Sequence, residues 1–516
     1  MPTNAFMNGL KTATNFTYTE NGALTHKTTG TAVYDMFGMG AAMRKRSDED
    51  CILMFRNAFA ENPVYALKCL FYIRDVRGGQ GERRFFRVCM HDLATHNTEA
   101  AARNLQYIPM FGRWDDLYLF VGTPLQRQAF DFMGEQLKLD VQSTTPSLLA
   151  KWLKSENTSS AKSRKLAALT RAHFGLTHRQ YRKTLSILRT RINIVEKLMS
   201  AGMWDKIEFD KIPSRAGIIY KNAFARHDIE RMREVTKDIQ SYADFAKDTT
   251  KTVNAKDLYP YECVAEALKC FRTGTYSTAK MPALDDTNRL MVNKYWDNLT
   301  DYFGKASFNG IVVADTSGSM VSSDPSAPIN VAISLGLYCA ERAKGPFAGH
   351  YISFASRPQL IATEGVDFVD KVYRIYRTNL VDNTNIEATF DLLLETALNN
   401  HCTQDDIPQN VLIVSDMEFD SARTYSGGYL YGRSRQTRQT LMENIRDKWQ
   451  AHGYQMPHLV FWNVDARQNN IPMKDEDGIT FVSGMSPSIF AQIMTGKTGQ
   501  SLMYDTLNQE RYACIK

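Results

Sequence analysis

The densest grouping of chemistry-bearing side chains is Ile311-Val312-Val313-Ala314-Asp315-Thr316-Ser317-Gly318-Ser319-Met320, where a short apolar run gives way to D-x-S-x-S. Such a run reads as a buried parallel strand, and ligands of doubly wound sheets sit beyond the carboxyl ends of the strands. One carboxylate and two hydroxyls in a tight loop make an all-oxygen surface, which suits a hard dication, Mg2+ or Mn2+. Gly318 is expected to let the loop turn so that both hydroxyls converge. The same residue types after a strand also serve plain turn chemistry. Two further segments favour the metal. Asp382-Asn383-Thr384-Asn385 precedes a helical stretch and offers the Thr384 hydroxyl, and Val414-Ser415-Asp416 ends another apolar run with a second carboxylate. Three oxygen-bearing turns at strand-to-helix junctions can then surround one ion.

A second grouping is cationic. The formal net charge is only +6, yet residues 151–250 hold 21 Lys and Arg against 11 Asp and Glu, so the rest of the chain is slightly acidic. A concentrated basic block in a nearly neutral molecule points to a polyanion-facing surface, although charge runs also serve as solvated faces. Its clearest element starts at Thr177, which with Gln180 fits the T-x-x-Q capping box. Tyr181, Leu185, Leu188, Ile192, Val195 and Met199 then share one helical stripe, and Arg179, Arg182, Lys183, Arg189 and Lys197 fall on the other side. Arg171, Arg182 and Lys183 are the candidate phosphate contacts, because Lys and Arg release counterions from phosphate and a helix N-terminus adds amide donors.

Other motifs offer less. Gly78-Gly79-Gln80-Gly81 lacks the G-K-[ST] ending of a phosphate loop and follows no strand, so it reads as an inter-helix turn. Its neighbours Arg74, Arg77, Arg83 and Arg84 are then either solvated or paired with Asp75 and Glu82. Trp114-Asp115-Asp116 reads as a helix cap followed by packing. No Ser-His-Asp order, H-E-x-x-H or P-C-x-x-C signature occurs. A single dication loop also lacks the two-ion clamp of a nuclease, so the expectation is a protein that is not an enzyme.

The elements that must position these groups fall into two stretches. Residues 45–300 read as helical nearly throughout. Asp48 to Leu70, for example, has apolar positions at Ile52, Leu53, Phe55, Phe59, Ala66, Leu67 and Leu70, broken by Asn62-Pro63. Several such helices joined by short turns suggest stacked helical pairs. From residue 305 onward, apolar runs at 310–314, 349–354, 411–414, 459–464 and 479–482 alternate with helical stretches at 329–343, 385–398, 435–451 and 488–494. That alternation argues for a parallel sheet with helices on both faces. A 516-residue chain is too long for one core, and the expected domains are 1–300, all-α, and 301–516, doubly wound α/β. Hydrophobic content of 43% with 23% charged residues is that of a soluble globular protein, and 30 Gly with 16 Pro excludes a collagen-like chain. No stretch has the 18 or so uncharged apolar residues of a membrane span, and MPTNAFMNGLKTATNFTYTE has no apolar secretory core. Eight Cys without zinc spacing read as reduced, mostly core residues of a cytoplasmic protein.

The three oxygen-bearing turns, with D-x-S-x-S, a separate Thr and a later Asp in that order, resemble the metal-ion-dependent adhesion site (MIDAS) of von Willebrand factor A domains. That resemblance implies that Ser317, Ser319 and Thr384 bind Mg2+ directly and that Asp315 and Asp416 hold it mainly through water. A partner's acidic oxygen would then complete the coordination shell. Asn21-Gly22-Ala23-Leu24-Thr25 with Thr28-Thr29-Gly30, Arg74-Asp75-Val76-Arg77-Gly78-Gly79-Gln80-Gly81-Glu82-Arg83-Arg84 and Gly112-Arg113-Trp114-Asp115-Asp116-Leu117 are similar to TROVE-type proteins, the Ro RNA-binding family and its relatives in bacteria and phages. In that family a ring of HEAT-like helical repeats is closed by a von Willebrand factor A domain. The resemblance implies binding of single-stranded RNA ends and of structured small non-coding or misfolded RNA. Leu176-Thr177-His178 is similar to a Ser-His pair beside the family's RNA surface, which adds His178 to the candidate contacts, with an ordinary capping-turn histidine as the alternative. The competing functional reading is a metal-dependent protein-interaction scaffold that captures a partner carboxylate.

Overall fold

The apolar runs expected as strands form one six-stranded mixed sheet because they are apolar on both faces. Every residue of β3 (Gly310–Asp315) is buried, as are residues 411–415 of β6 (Asn410–Ser415) and 459–463 of β7 (His458–Asn463). The computed structural model describes residues 4–232, 239–271, 281–354, 357–378, 385–420, 439–474 and 478–516. With β4 (His350–Phe354), β5 (Gln359–Ala362) and β8 (Ile479–Ser483), the strand order is β5-β4-β3-β6-β7-β8. All pairs are parallel except β4 with β5. The register sets Ala314 beside Val414, and Ser415 beside Asn463, so the carboxyl ends of β3, β6 and β7 align. Helices Pro328–Arg342, Ile386–Asn399 and Ser488–Ile493 fall where alternation placed them, and Leu441–Ala451, capped by Thr440, covers the latter part of the expected 435–451, whose residues 435–438 lie outside the described residues. The antiparallel edge strand β5 and the helices Phe368–Thr378 and Gly499–Leu507 went unread.

The chain divides into two compact units. The α/β unit comprises Met1–Cys69, Tyr259–Pro282 and Asp301–Gln509, and the helical unit comprises Leu70–Leu258, Ala283–Thr300 and Glu510–Lys516. This partition departs from the expected spans 1–300 and 301–516, for a reason that lies at the sheet's edge. Strand β8 has one neighbour, β7, so its outer backbone groups need partners. Helix Ala32–Met39 and the turn after it cover that edge. Phe481 N–H donates to Tyr34 Oη at 2.9 Å, Ser483 Oγ donates to the Phe37 carbonyl at 2.9 Å, and Ala41 N–H donates to Ser483 Oγ at 3.2 Å. Gly38 is needed for this approach, since a Cβ there would lie 2.9 Å from Phe481 Cβ. The hairpin of β1 (Phe16–Tyr18) and β2 (Leu24–His26) joins the same unit through His26, whose Nε2 lies 3.0 Å from Glu443 Oε1. Helix Pro260–Phe271 also packs against Pro328–Arg342 and Phe368–Thr378, with the Phe271 and Tyr373 rings 5.2 Å apart.

The helical unit contains no strand among its described residues. In the α/β unit, the break at Asn62-Pro63 separates Asp48–Glu61 from Pro63–Arg74, as expected, and the latter helix runs on into the helical unit. The helix expected from Thr177 to Met199 is shorter. The capping box at Thr177 and Gln180 forms, but the helix runs His178–Arg191, and a second helix, Val195–Ser200, follows a turn. Asn193 takes a left-handed φ of 47° in that turn, a conformation that asparagine tolerates. The stripe is retained across the break, with Tyr181, Leu185, Leu188 and Val195 buried. Residues Glu510–Tyr512 close this unit. Tyr512 stacks on Phe111 with centroids 5.5 Å apart and donates to Asp75 Oδ2 at 3.0 Å.

All eight cysteines are free thiols, five of them buried. No helix among the described residues is long and apolar enough to cross a membrane. Tyr34→Phe should leave the Phe481 N–H without its acceptor and lower stability by about 1–3 kcal/mol in urea denaturation. An unchanged midpoint would show that the edge of β8 is not held by that hydroxyl.

Candidate metal centre

Asp315 ends β3 and Ser415 ends the adjacent parallel strand β6. Their side chains join across the strand ends, Ser415 Oγ donating to Asp315 Oδ2 at 2.6 Å. Asp315 Oδ1 accepts the Ser317 backbone N–H at 2.9 Å, the local turn that an aspartate two residues upstream favours. A 3-10 turn, Gly318–Met320, follows, closed by Met320 N–H to the Ser317 carbonyl at 3.1 Å. The outcome is that the Ser317 and Ser319 hydroxyl oxygens lie 3.1 Å apart. Gly318 does not shape the loop as expected. It is exposed, its φ is not in the left-handed region, and a Cβ there would meet nothing within 4 Å. The aspartate turn gathers the hydroxyls instead.

Asp416 follows β6 and enters the site through an unusual backbone. Met417 has a φ of 64°, uncommon for a non-glycine residue. Its N–H donates to Ser415 Oγ at 3.0 Å, and Glu418 N–H donates to Asp416 Oδ1 at 3.2 Å. The other oxygen, Asp416 Oδ2, is buried and makes no hydrogen bond of good geometry among the described residues. Arg467 Nη2 lies 3.2 Å away, without hydrogen-bond geometry. Asp315, Ser317, Ser319 and Asp416 are thus brought together. Thr384 lies outside the described residues. Its neighbour Asn385 caps helix Ile386–Asn399, accepting Ala388 N–H at 3.0 Å.

The site carries more charge than the sequence indicated. Glu418, buried, accepts Glu20 N–H at 2.6 Å and Asn470 Nδ2–H at 2.7 Å. Asp465, just past β7, pairs with Lys45 at 2.7 Å. Arg467 spans the group: Nη1 is 3.1 Å from Glu20 Oε2, Nε is 4.0 Å from Asp465 Oδ2, and Nη2 donates to the Ser319 carbonyl. Burial raises the pKa of Asp315, and the charge of Asp416 adds to the effect. Asp416 is likewise raised by burial, opposed by the Ser319 hydroxyl and the Arg467 guanidinium. Burial pushes Glu418 up to about 7. Arg467 and Glu418 were missed because no motif spacing connects them to D-x-S-x-S. The available signal was Asp465-Ala466-Arg467 immediately after an apolar run, the same position in the strand grammar as Asp315 and Asp416.

Among the described residues no three His, Cys, Asp or Glu side chains gather to hold a metal ion, so a dication here must draw on the serine hydroxyls. The donor set fits that use: two converging hydroxyls, a buried carboxylate oxygen without a hydrogen bond of good geometry among the described residues, and a second buried carboxylate are hard oxygen ligands. A cation entering beside Asp416 would compete with Arg467. Arg467→Gln should therefore lower stability without metal by about 1–3 kcal/mol. It should also tighten Mg2+ binding about tenfold, equivalent to about 1.4 kcal/mol, in titration calorimetry. Weaker binding in the variant would contradict this competition.

The candidate RNA contacts in the helical unit are placed unevenly. Arg171 Nε lies 2.8 Å from Glu156 Oε1, and His178 Nδ1 lies 2.9 Å from the same oxygen, so one carboxylate engages both. Arg182 and Lys183 are exposed on helix His178–Arg191, as is Arg179. Arg189, expected on that outer side, turns inward. It donates to the carbonyls of Ala150 at 2.8 Å and Leu153 at 2.9 Å, and to Ser155 Oγ at 3.0 Å. The buried carbonyl ends of helix Leu149–Trp152 are what it satisfies.

Comparison with known proteins adds family but not activity. The model described as Domain of unknown function (DUF7788) matches residues 309–511. The model described as Domain of unknown function (DUF2828) matches residues 19–143 and 139–307. The chain is also similar to Uncharacterized protein L728 of Acanthamoeba polyphaga mimivirus, 29% identical over 521 residues that take in 94% of this chain and 85% of that protein. Since the DUF2828 matches span more than half of its length, the chain belongs to the DUF2828 family.

Proposed function

We propose that this chain is a non-catalytic, cytoplasmic RNA-binding protein of the TROVE type, with a HEAT-like helical domain and a von Willebrand factor A-type α/β domain that carries Mg2+ or Mn2+. The observation that carries the RNA reading is helix His178–Arg191. Its apolar stripe of Tyr181, Leu185 and Leu188 is buried, while Arg179, Arg182 and Lys183 project into solvent with no carboxylate partner among the described residues. This helix lies in the stretch 151–250 with its surplus of ten cationic residues. Lysines and arginines displayed this way bind phosphate chiefly by displacing its condensed counterions. Arg171 and His178 contribute less directly, because the Glu156 carboxylate engages both.

In the α/β unit, Ser317, Ser319 and Thr384 would bind the dication directly, and Asp315 and Asp416 through water. The bound ion would supply a Lewis-acidic position for an acidic oxygen from outside. The chain's own residues do the positioning. Ser415 and the Ser317 amide orient Asp315, and the turn through Met417 orients Asp416. The second reading, a scaffold that captures a partner's Asp or Glu, is favoured by the half-buried Ser319 and exposed Gly318, which open this turn to solvent.

Filter binding of single-stranded RNA across a salt series tests the first reading. Affinity should fall steeply with salt, and Arg182→Gln with Lys183→Gln should reduce the slope by about 1.4. Asp315→Ala should abolish capture of an acidic partner while leaving RNA binding nearly intact. A flat salt response, or no RNA retained at low salt, overturns the RNA reading.

A further inference from the structure

The glycine-rich turn and the Trp114 cap, which as sequence offered no chemistry, come together in the helical unit. Asp116, buried, receives Arg74 Nη2 at 2.7 Å and Arg87 Nε at 2.6 Å. Asp115 lies against Arg87 Nη2 at 3.3 Å, Arg113 Nε at 3.1 Å and Lys154 Nζ at 3.3 Å. The Arg113 guanidinium is spread over the Trp152 ring at 4.1 Å, which fixes its plane. Arg83 is exposed and has no carboxylate within ion-pair reach among the described residues. Burial, and then the charges of Arg83 and Arg74, hold the Arg113 guanidinium below its ordinary range against the pull of Asp115 and Asp116.

The charges do not balance. Among the described residues four cations, Arg74, Arg87, Arg113 and Lys154, lie within ion-pair reach of these two carboxylates, and the exposed Arg83 adds a further positive charge that acts on Arg113. Arg87 Nη2 and Arg113 Nε, although ion-paired to Asp115, make no hydrogen bond of good geometry among the described residues, so the two carboxylates leave the cluster with surplus positive charge. Arg74 is sealed inside, but Arg87, Arg113 and Lys154 keep 32%, 27% and 26% of their side chains exposed. An anion rich in acceptors can therefore reach them. Lys154 also lies near the start of the cationic stretch 151–250. Tyr181, on helix His178–Arg191, donates to the Lys154 carbonyl at 2.8 Å, and the same segment carries Glu156 between Arg171 and His178.

We infer that Arg83, Arg87, Arg113 and Lys154 form a phosphate-binding site that receives a backbone phosphate of an RNA strand. The choice of RNA as the source of that phosphate rests on the function proposed above. A tetrahedral phosphate offers several acceptor oxygens at once, which matches planar guanidinium donors fixed by stacking and ion pairing. Asp115 and Asp116 hold those donors in position and leave their charge incompletely cancelled.

The test uses the full chain, with Arg83→Gln, which removes an exposed side chain that no carboxylate holds, and the double variant Arg83→Gln, Lys154→Gln. Binding of a single-stranded oligoribonucleotide is measured across a salt series. Thermal stabilisation by inorganic phosphate is measured against chloride at equal ionic strength. The expected result is a salt slope lower by about 0.7 per cation removed and, for the double variant, about tenfold weaker RNA binding at low salt. Unchanged RNA affinity and slope in both variants would overturn the site while leaving the RNA reading intact. If the wild-type chain retains no RNA, that reading fails and the phosphate arm decides. Stabilisation by inorganic phosphate that the double variant loses supports the site for a free phosphate, and equal behaviour of both proteins overturns it.

Discussion

Ser415 Oγ reaches across the ends of two parallel strands to Asp315 Oδ2 at 2.6 Å, and the geometry of the candidate site follows from that bond. The register of β3 on β6 brings the two residues side by side. Asp315 then fixes the backbone that turns Ser317 and Ser319 toward each other, while Ser415 accepts the Met417 N–H and so sets the path of Asp416. Both carboxylates themselves lie where solvent is excluded, in a medium that disfavours their charge. Arg467 offsets part of that penalty, bridging Asp416, Glu20 and the Ser319 carbonyl. On the function proposed above, a dication beside Asp416 would offset the same penalty in place of the arginine.

The helical unit meets a related problem with the opposite sign. Asp115 and Asp116 are the buried groups there, and cations surround them in excess. Arg189 and Arg231 are also drawn inward, to backbone carbonyls: Arg231 Nη1 donates to Trp204 at 2.5 Å and Ile207 at 2.8 Å. Basic residues in this unit thus serve two purposes. Some terminate helices and bind buried oxygens, and only the remainder, Arg179, Arg182, Lys183 and Arg83 among them, face solvent.

Strand positions were legible because a strand buried on both faces must be apolar throughout, as Ile311 to Ala314 and Val411 to Val414 are. Convergence of Ser317 and Ser319 was legible for a local reason, a two-residue aspartate turn. What lay beyond the sequence was long-range. Nothing in residues 32–42 says that their partner is strand β8, some 440 residues later, because an amphipathic helix specifies that it packs and not on what. Arg467 and Glu418 enter the site through tertiary folding alone. Helix His178–Arg191 was read too long because the apolar stripe continues past the left-handed turn at Asn193. Arg189 was misplaced because a helical wheel assigns an arginine to water and does not count the carbonyls of a neighbouring helix end.

The charge of Asp315 is the most direct handle on this account. Thermal unfolding of the Asp315→Asn chain, followed in chelator and in excess Mg2+, measures both halves of the claim at once. Relief of the buried like charge should raise the midpoint in chelator above that of the wild-type chain, and the further rise that Mg2+ gives the wild type should vanish. A lower midpoint in chelator together with an undiminished response to Mg2+ would contradict it, because Asp315 would then be neither an electrostatic burden on the fold nor part of a metal centre.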